Sequence, residues 1–253
     1  IVRPFNDRRL EGSPAEQAEY AAALTKIGAV TEALDLLNSI KNPPADALLY
    51  KAFAHVARWD YAPTIPLLEK YCASSITPYE RLIGKVNIVA ALVHEESVDA
   101  KSLLDELLRE TKKHNHVRLH GQIRKLKAQW FVAMKEFDSA RSELELADKA
   151  LRQIGGLDFL FVHKWNAIID LLKSRGSAKT VRALRQIKEE AGKFCHWETV
   201  RECDYYEALS LHSNRLFTHL YMGTPFPAYR ARMLSQYGAK IEIWTRSGRS
   251  RWL

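Results

Sequence analysis

Apolar residues recur every three to four positions over most of the chain, which is the period of α-helices that bury one face. Prolines, glycines and small capping residues interrupt this pattern at short intervals, so it predicts a succession of helix pairs joined by short turns. The predicted helices are, in chain order, 15–27, 31–40, 45–58, 63–71, 78–94, 98–113, 118–134, 139–154, 157–174, 178–194, 198–211 and 215–222. The pattern therefore indicates an all-α protein.

The pattern changes after Met222. Residues 223–227 form a turn-rich break, and residues 240–244 alternate apolar and polar side chains as a strand does. Because a lone strand leaves its backbone groups unpaired, we expect it to pair with 249–253 as a β-hairpin, or the segment to be an extended tail that caps the last helices. The predicted organisation is an N-terminal extension at 1–13, a helical repeat domain at 14–222, and a basic segment at 223–253.

Small and aromatic residues recur at matching places in several helix pairs. In the pair 118–151 they are Ala128, Phe131, Phe137, Ala140, Leu144 and Ala147, and in the first pair they are Ala21, Leu24, Val30, Ala33, Leu37 and Ile40. Small residues let two helices approach closely, while leucine and phenylalanine fill the groove of the next pair. Looser copies occur in the second, third and fifth pairs.

This pattern resembles the tetratricopeptide repeat. The resemblance implies a right-handed α-solenoid of five to six antiparallel helix pairs that binds a protein or peptide on its concave face. Steps between equivalent residues reach about 40, which is longer than the family's usual 34. Such longer repeats are similar to the sensor regions of bacterial transcription regulators, so the resemblance implies an interaction or sensor domain of a larger bacterial signalling or regulatory protein. The alternative is an unrelated α-helical bundle.

Composition and charge add a second hypothesis. Apolar residues make up 47% of the chain and charged residues 27%, which is ordinary for a globular protein. The net charge is +8, and much of the excess lies near the C-terminus, where one acidic residue, Glu242, stands among six cations. Phosphate groups bind such clusters, so nucleic acid is the alternative partner. The candidate nucleic-acid-binding residues are Arg230, Arg232, Lys240, Arg246, Arg249 and Arg251.

The cysteines and the termini bear on location. Three cysteines without a CxxC spacing fit a reducing compartment, and neither a signal peptide nor a long apolar span is evident. We therefore expect a cytoplasmic protein without a membrane partner. Because the chain begins with Ile1, we also expect it to be a piece of a longer protein, with a neighbouring domain outside it.

Candidate chemistry is sparse. His116 and His120 have the i,i+4 spacing of zinc ligands, but the glutamate of a metalloprotease motif is missing between them. Cys195 and Cys203 lack the paired spacing of structural zinc sites. The sequence also contains neither a glycine-rich phosphate loop nor a nucleophile elbow. We therefore predict no metal, no cofactor and no enzymatic activity.

Binding residues are predicted on the first helix of each pair, since those helices line the concave face of a repeat array. The favoured set is Asn87, Arg124 and Lys127, an amide and two cations in successive repeats. Such side chains suit an acidic peptide or a C-terminal carboxylate. The alternative is that the two cations only solubilise the surface.

Overall fold

A computed structural model describes residues 12–26, 29–57, 60–152, 154, 158–194 and 196–210. This part of the chain contains eleven α-helices and no strand, and none of its helices combines the length and apolar character needed to span a bilayer. The helices are α1 (Pro14–Lys26), α2 (Val30–Ser39), α3 (Ala45–Ala57), α4 (Thr64–Ala73), α5 (Pro78–His94), α6 (Ala100–Lys113), α7 (Val117–Ala133), α8 (Phe137–Arg152), α9 (Asp158–Lys173), α10 (Ala178–Lys193) and α11 (Trp197–Ser210).

The all-α prediction is confirmed for the described residues. Each of the first eleven predicted helices is present, and the observed bounds differ from the predicted ones by at most two residues. The predicted helix at 215–222 and the hairpin formed by 240–244 and 249–253 lie outside the described residues.

Reciprocal caps explain why two of these helices begin where they do. Thr77 Oγ1 accepts a hydrogen bond from the backbone N–H of Glu80 at 3.2 Å, and the Glu80 carboxylate accepts one from the backbone N–H of Thr77 at 2.7 Å. Ser13 and Glu16 form the same capping box before α1, and a proline follows each capping residue. Hydrogen bonds from Ser13 and Thr77 lower the pKa of the two glutamates.

Contacts divide the described chain into two compact units, an N-terminal unit over 12–91 and a C-terminal unit over 92–210. Each has its own core. In the N-terminal unit, α1, α2 and α3 pack together around a cluster that includes Ala21, Leu24, Ala33 and Leu37. The repeat-like residues of the first pair are therefore core residues.

In the C-terminal unit, each helix from α6 to α11 packs against the next, and α9 also contacts α7 and α11. Ala128, Ala140, Leu144 and Ala147 are fully buried in one cluster, with Phe131 and Phe137 packed against it. α7 and α8 run antiparallel, because Gly121 near the start of α7 lies against Leu151 near the end of α8. The helices therefore approach closely at Gly121, a position outside the repeat-like set.

Candidate functional site

Asn87 lies on α5, within the N-terminal unit. Its Nδ2 donates a hydrogen bond to the carbonyl oxygen of Ile83, one turn earlier, at 2.9 Å, and the side chain is half-buried. One amide donor is therefore used inside its own helix. The other two predicted binding residues belong to the C-terminal unit.

Arg124 and Lys127 are brought together by a carboxylate from the neighbouring helix. Arg124 Nη1 lies 2.6 Å from Glu143 Oε2, and Lys127 Nζ lies 3.1 Å from Glu143 Oε1. Lys127 Nζ also contacts Asp105 Oδ1 at 2.9 Å. Since Asp105 is on α6 and Glu143 is on α8, one ammonium group on α7 links three helices. Lys127 thus pairs with acids on both α6 and α8, whereas the ion pair of Arg124 is with α8.

This network is largely shielded from solvent, with side-chain exposures of 11% for Glu143, 15% for Lys127 and 23% for Arg124. Burial lowers the pKa of Lys127, but hydrogen bonds to Asp105 and Glu143 outweigh it and raise the pKa overall. Burial likewise acts to raise the pKa of Asp105, and hydrogen bonds from Lys127 and Lys101 hold it below its ordinary value. Asp105 and Lys127 therefore both favour their charged forms at neutral pH, and each compensates the charge of the other.

A second polar cluster lies where α7, α9 and α11 meet. Lys125 Nζ on α7 lies 3.7 Å from the centre of the Phe161 ring on α9, and Lys164 Nζ lies 4.8 Å from the same centre. His196, just before α11, packs edge-on against Phe161 with ring centres 5.0 Å apart. Lys164 is only 1% exposed and forms an ion pair with Glu202 of α11. Cation and ring attract each other through the quadrupole of the ring.

Sequence reasoning did not select this cluster. The available signal is the one-turn spacing of Phe161 and Lys164, which places both on the same face of α9. Their partners Lys125 and Glu202 lie 36 residues before Phe161 and 38 residues after Lys164, so only packing brings them together.

Buried polar atoms without a hydrogen-bond partner concentrate in the same layer of helices. Within the described residues, five side-chain atoms are buried in this way. Four belong to α7, α9 or α11, and the fifth belongs to His196, directly before α11. Asp158 Oδ2 lies 3.5 Å from the Arg118 guanidinium without receiving a hydrogen bond. The atoms are Gln129 Oε1, Asp158 Oδ2, Trp165 Nε1, His196 Nδ1 and Thr199 Oγ1. In native proteins, buried polar atoms usually bind another protein atom or an ordered water molecule.

The six candidate nucleic-acid-binding cations of the C-terminal segment, from Arg230 to Arg251, lie outside the described residues. Among the residues that are described, His, Cys, Asp and Glu side chains form no group of three or more that could hold a metal ion. His120, one of the two histidines with zinc-ligand spacing, instead contacts Thr111 and Arg124.

No protein-family model matches the chain, and no curated protein or solved structure matches it either.

Proposed function

We propose that this chain is a helical repeat module that binds a protein or peptide segment along the layer formed by α7, α9 and α11. In this proposal it is not an enzyme, and it serves as the interaction or sensor domain of a larger bacterial signalling or transcription regulatory protein. The proposal takes the helix pairs to be tetratricopeptide-like repeats stacked in a right-handed solenoid. The observation that carries it is the cluster of Lys125, Lys164 and Glu202 around Phe161, together with the buried polar atoms of the same three helices that form no hydrogen bond within the protein.

A bound segment would give these atoms the partners they lack. Leaving a buried donor or acceptor unsatisfied costs about 1–3 kcal/mol. A peptide backbone offers both N–H and C=O groups, so it can accept from Trp165 Nε1 and Thr199 Oγ1 and donate to Gln129 Oε1. Helical repeat proteins use their extended concave surfaces for such contacts.

Binding in this layer would be coupled to helix movement. Trp165 is 4% exposed and Thr199 is not exposed at all, so a partner reaches their polar atoms only if α9 and α11 move apart. A partner that binds the opened form more tightly shifts the population toward it. The same event would then bind the segment and change the spacing of the helices, which is how a sensor domain transmits occupancy.

The cluster around Phe161 indicates the character of the segment. Lys125 and Lys164 both lie against the ring, and Lys164 also forms an ion pair with the carboxylate of Glu202. A segment that carries a carboxylate next to an apolar side chain would reproduce both contacts. We therefore favour an acidic peptide, as the sequence predicts, but at this cluster and not at Arg124 and Lys127.

The test is to select peptides that bind the chain from a displayed random library and to measure their affinity for two variants. Phe161→Ala removes the ring that both lysines contact and is expected to weaken binding by roughly tenfold or more, as truncation of an aromatic anchor does. Phe194→Ala removes a half-exposed phenylalanine at the end of α10 and is the matched control. Equal affinity for both variants would contradict the proposed binding layer.

Nucleic acid remains the second candidate, and the excess of cations between Arg230 and Arg251 favours it. If those six cations contact phosphates, the logarithm of the binding constant should fall with the logarithm of salt concentration with a slope of about −5. Deleting residues 238–253 should then abolish most of the binding to duplex DNA. Unchanged binding after this deletion would exclude the candidate.

A further inference from the structure

His120 lies at the end of the ionic network, between α6 and α7. Its Nδ1 is 3.1 Å from Thr111 Oγ1 on α6, and its Nε2 is 3.3 Å from Arg124 Nε on α7. Thr111 is fully buried, and its hydroxyl donates to the carbonyl of Leu107 at 2.8 Å. Because Arg124 also binds Glu143, the contacts form one continuous chain from α6 through α7 to α8.

These contacts fix the protonation state of the imidazole. Arg124 Nε always carries its hydrogen, so His120 Nε2 must accept and cannot be protonated while this bond exists. The Thr111 hydroxyl hydrogen points to Leu107, which leaves Thr111 Oγ1 to accept from Nδ1–H. The structure therefore requires neutral His120 with its hydrogen on Nδ1.

The charges around His120 disfavour a second proton. Burial is the largest cause that lowers its pKa below 6.5, followed by the positive charges of Arg124 on α7 and Lys112 on α6. A backbone hydrogen bond with Leu108 and the negative charge of Glu143 on α8 act in the opposite direction but are weaker. A proton on Nε2 would also place two N–H donors against each other.

We propose that His120 is a proton-sensitive latch between the third and fourth helix pairs: neutral His120 joins Thr111 of α6 to Arg124 of α7, and its protonation opens this connection. This inference does not depend on the peptide-binding proposal. Its contacts join α6 to α7 inside the C-terminal unit. They involve none of the residues of the Phe161 cluster.

The direction of the pH effect follows from proton linkage. The unfolded chain binds a proton on His120 near pH 6.5, whereas the folded protein binds it only at a lower pH. Between the two pKa values of His120, the unfolded state holds more protons than the folded state, so the folding stability falls as the pH falls. Above the pKa that His120 has in the unfolded chain, the latch is closed and its contribution to folding stability is complete.

The experiment is hydrogen–deuterium exchange of the whole chain at about pH 7.5 and about pH 5, corrected for the intrinsic pH dependence of exchange, because exchange reports local opening. Peptides that cover α6 and the first half of α7 should lose protection several-fold at the lower pH. His120→Gln keeps an acceptor for Arg124 but does not titrate, so its protection should be independent of pH over this range. His114→Gln alters an exposed histidine at the end of α6 and should behave as the wild type.

Equal protection of α6 at the two pH values in the wild type would overturn the proposal, and so would the same loss of protection in His120→Gln. If His120→Gln does not fold, the imidazole resonances of the wild-type protein decide the matter. A titration midpoint for His120 clearly below 6.5 supports the latch, and a midpoint at or above 6.5 overturns it.

Discussion

Glu143 on α8 binds Arg124 on α7 through one carboxylate oxygen at 2.6 Å and Lys127 through the other at 3.1 Å. A single shielded acid thus compensates two cations of the neighbouring helix. Lys127 extends the connection to Asp105 on α6. Because the network joins α6, α7 and α8, variants of its residues test how much these ion pairs stabilise the C-terminal unit.

Replacing Glu143 should destabilise the fold. Glu143→Gln keeps the shape of the side chain but leaves Arg124 and Lys127 with less compensation, which we expect to cost roughly 2 kcal/mol for a partly exposed network. Glu145→Gln is the matched control, since Glu145 is exposed on the same helix. Urea unfolding measures the free energy of unfolding of both variants. Equal losses in Glu143→Gln and Glu145→Gln would contradict a stabilising role of the network.

Removing the two cations should leave Glu143 as an unpaired buried acid. The variant Arg124→Ala/Lys127→Ala is therefore expected to lose stability, because an uncompensated charge remains in a shielded site. Adding Glu143→Gln removes that charge, so the triple variant should be more stable than the double one. A further loss of stability in the triple variant would mean that the three groups act independently.

Two glycines should respond in opposite directions to a methyl group. A Cβ on Gly121 would lie 2.7 Å from Leu151 Cγ, so Gly121→Ala forces α7 and α8 apart and should cost about 1–3 kcal/mol. A Cβ on Gly192 meets nothing within 4 Å, so Gly192→Ala should stabilise α10 by up to about 1 kcal/mol through helix propensity. Thermal unfolding of the two variants measures this, and a stable Gly121→Ala would contradict the close packing of α7 on α8.

Cys203 should be inert in the folded protein. Burial raises the pKa of its thiol to about 12, while nearby Lys164 acts in the opposite direction. A rise from the ordinary value of 9.0 to about 12 leaves roughly a thousandfold less thiolate at about pH 8. Alkylation with iodoacetamide, followed by peptide mass spectrometry, should label Cys203 only after denaturation. Labelling of the native protein at the rate of an exposed thiol would contradict its burial.

Local signals in the sequence predicted the helices because they act over a few residues. Pro78 follows Thr77, which forms a capping box with Glu80, and α5 begins at Pro78 as predicted. Ala128 and Ala140 were likewise recognisable as close-packing positions, and both are fully buried.

The side-chain partners could not be predicted in the same way. Nothing near Arg124 in the sequence indicates Glu143, which lies 19 residues later and approaches only because α8 folds back on α7. The ion pair of Lys164 with Glu202 spans 38 residues and depends on the packing of α9 against α11. The sequence identifies cations on the first helices, whereas packing decides which of them already have partners.

Thr199→Val gives the most direct test of the binding layer, because it removes an unpartnered buried hydroxyl at almost constant volume. If a bound segment is what satisfies this group, the variant should be as stable as the free wild-type protein or more stable by about 1 kcal/mol, and it should bind the selected peptides more weakly. Urea unfolding and isothermal titration calorimetry on the same preparations measure both quantities. Lower stability with unchanged affinity would contradict the account, since the hydroxyl would then serve the free protein alone.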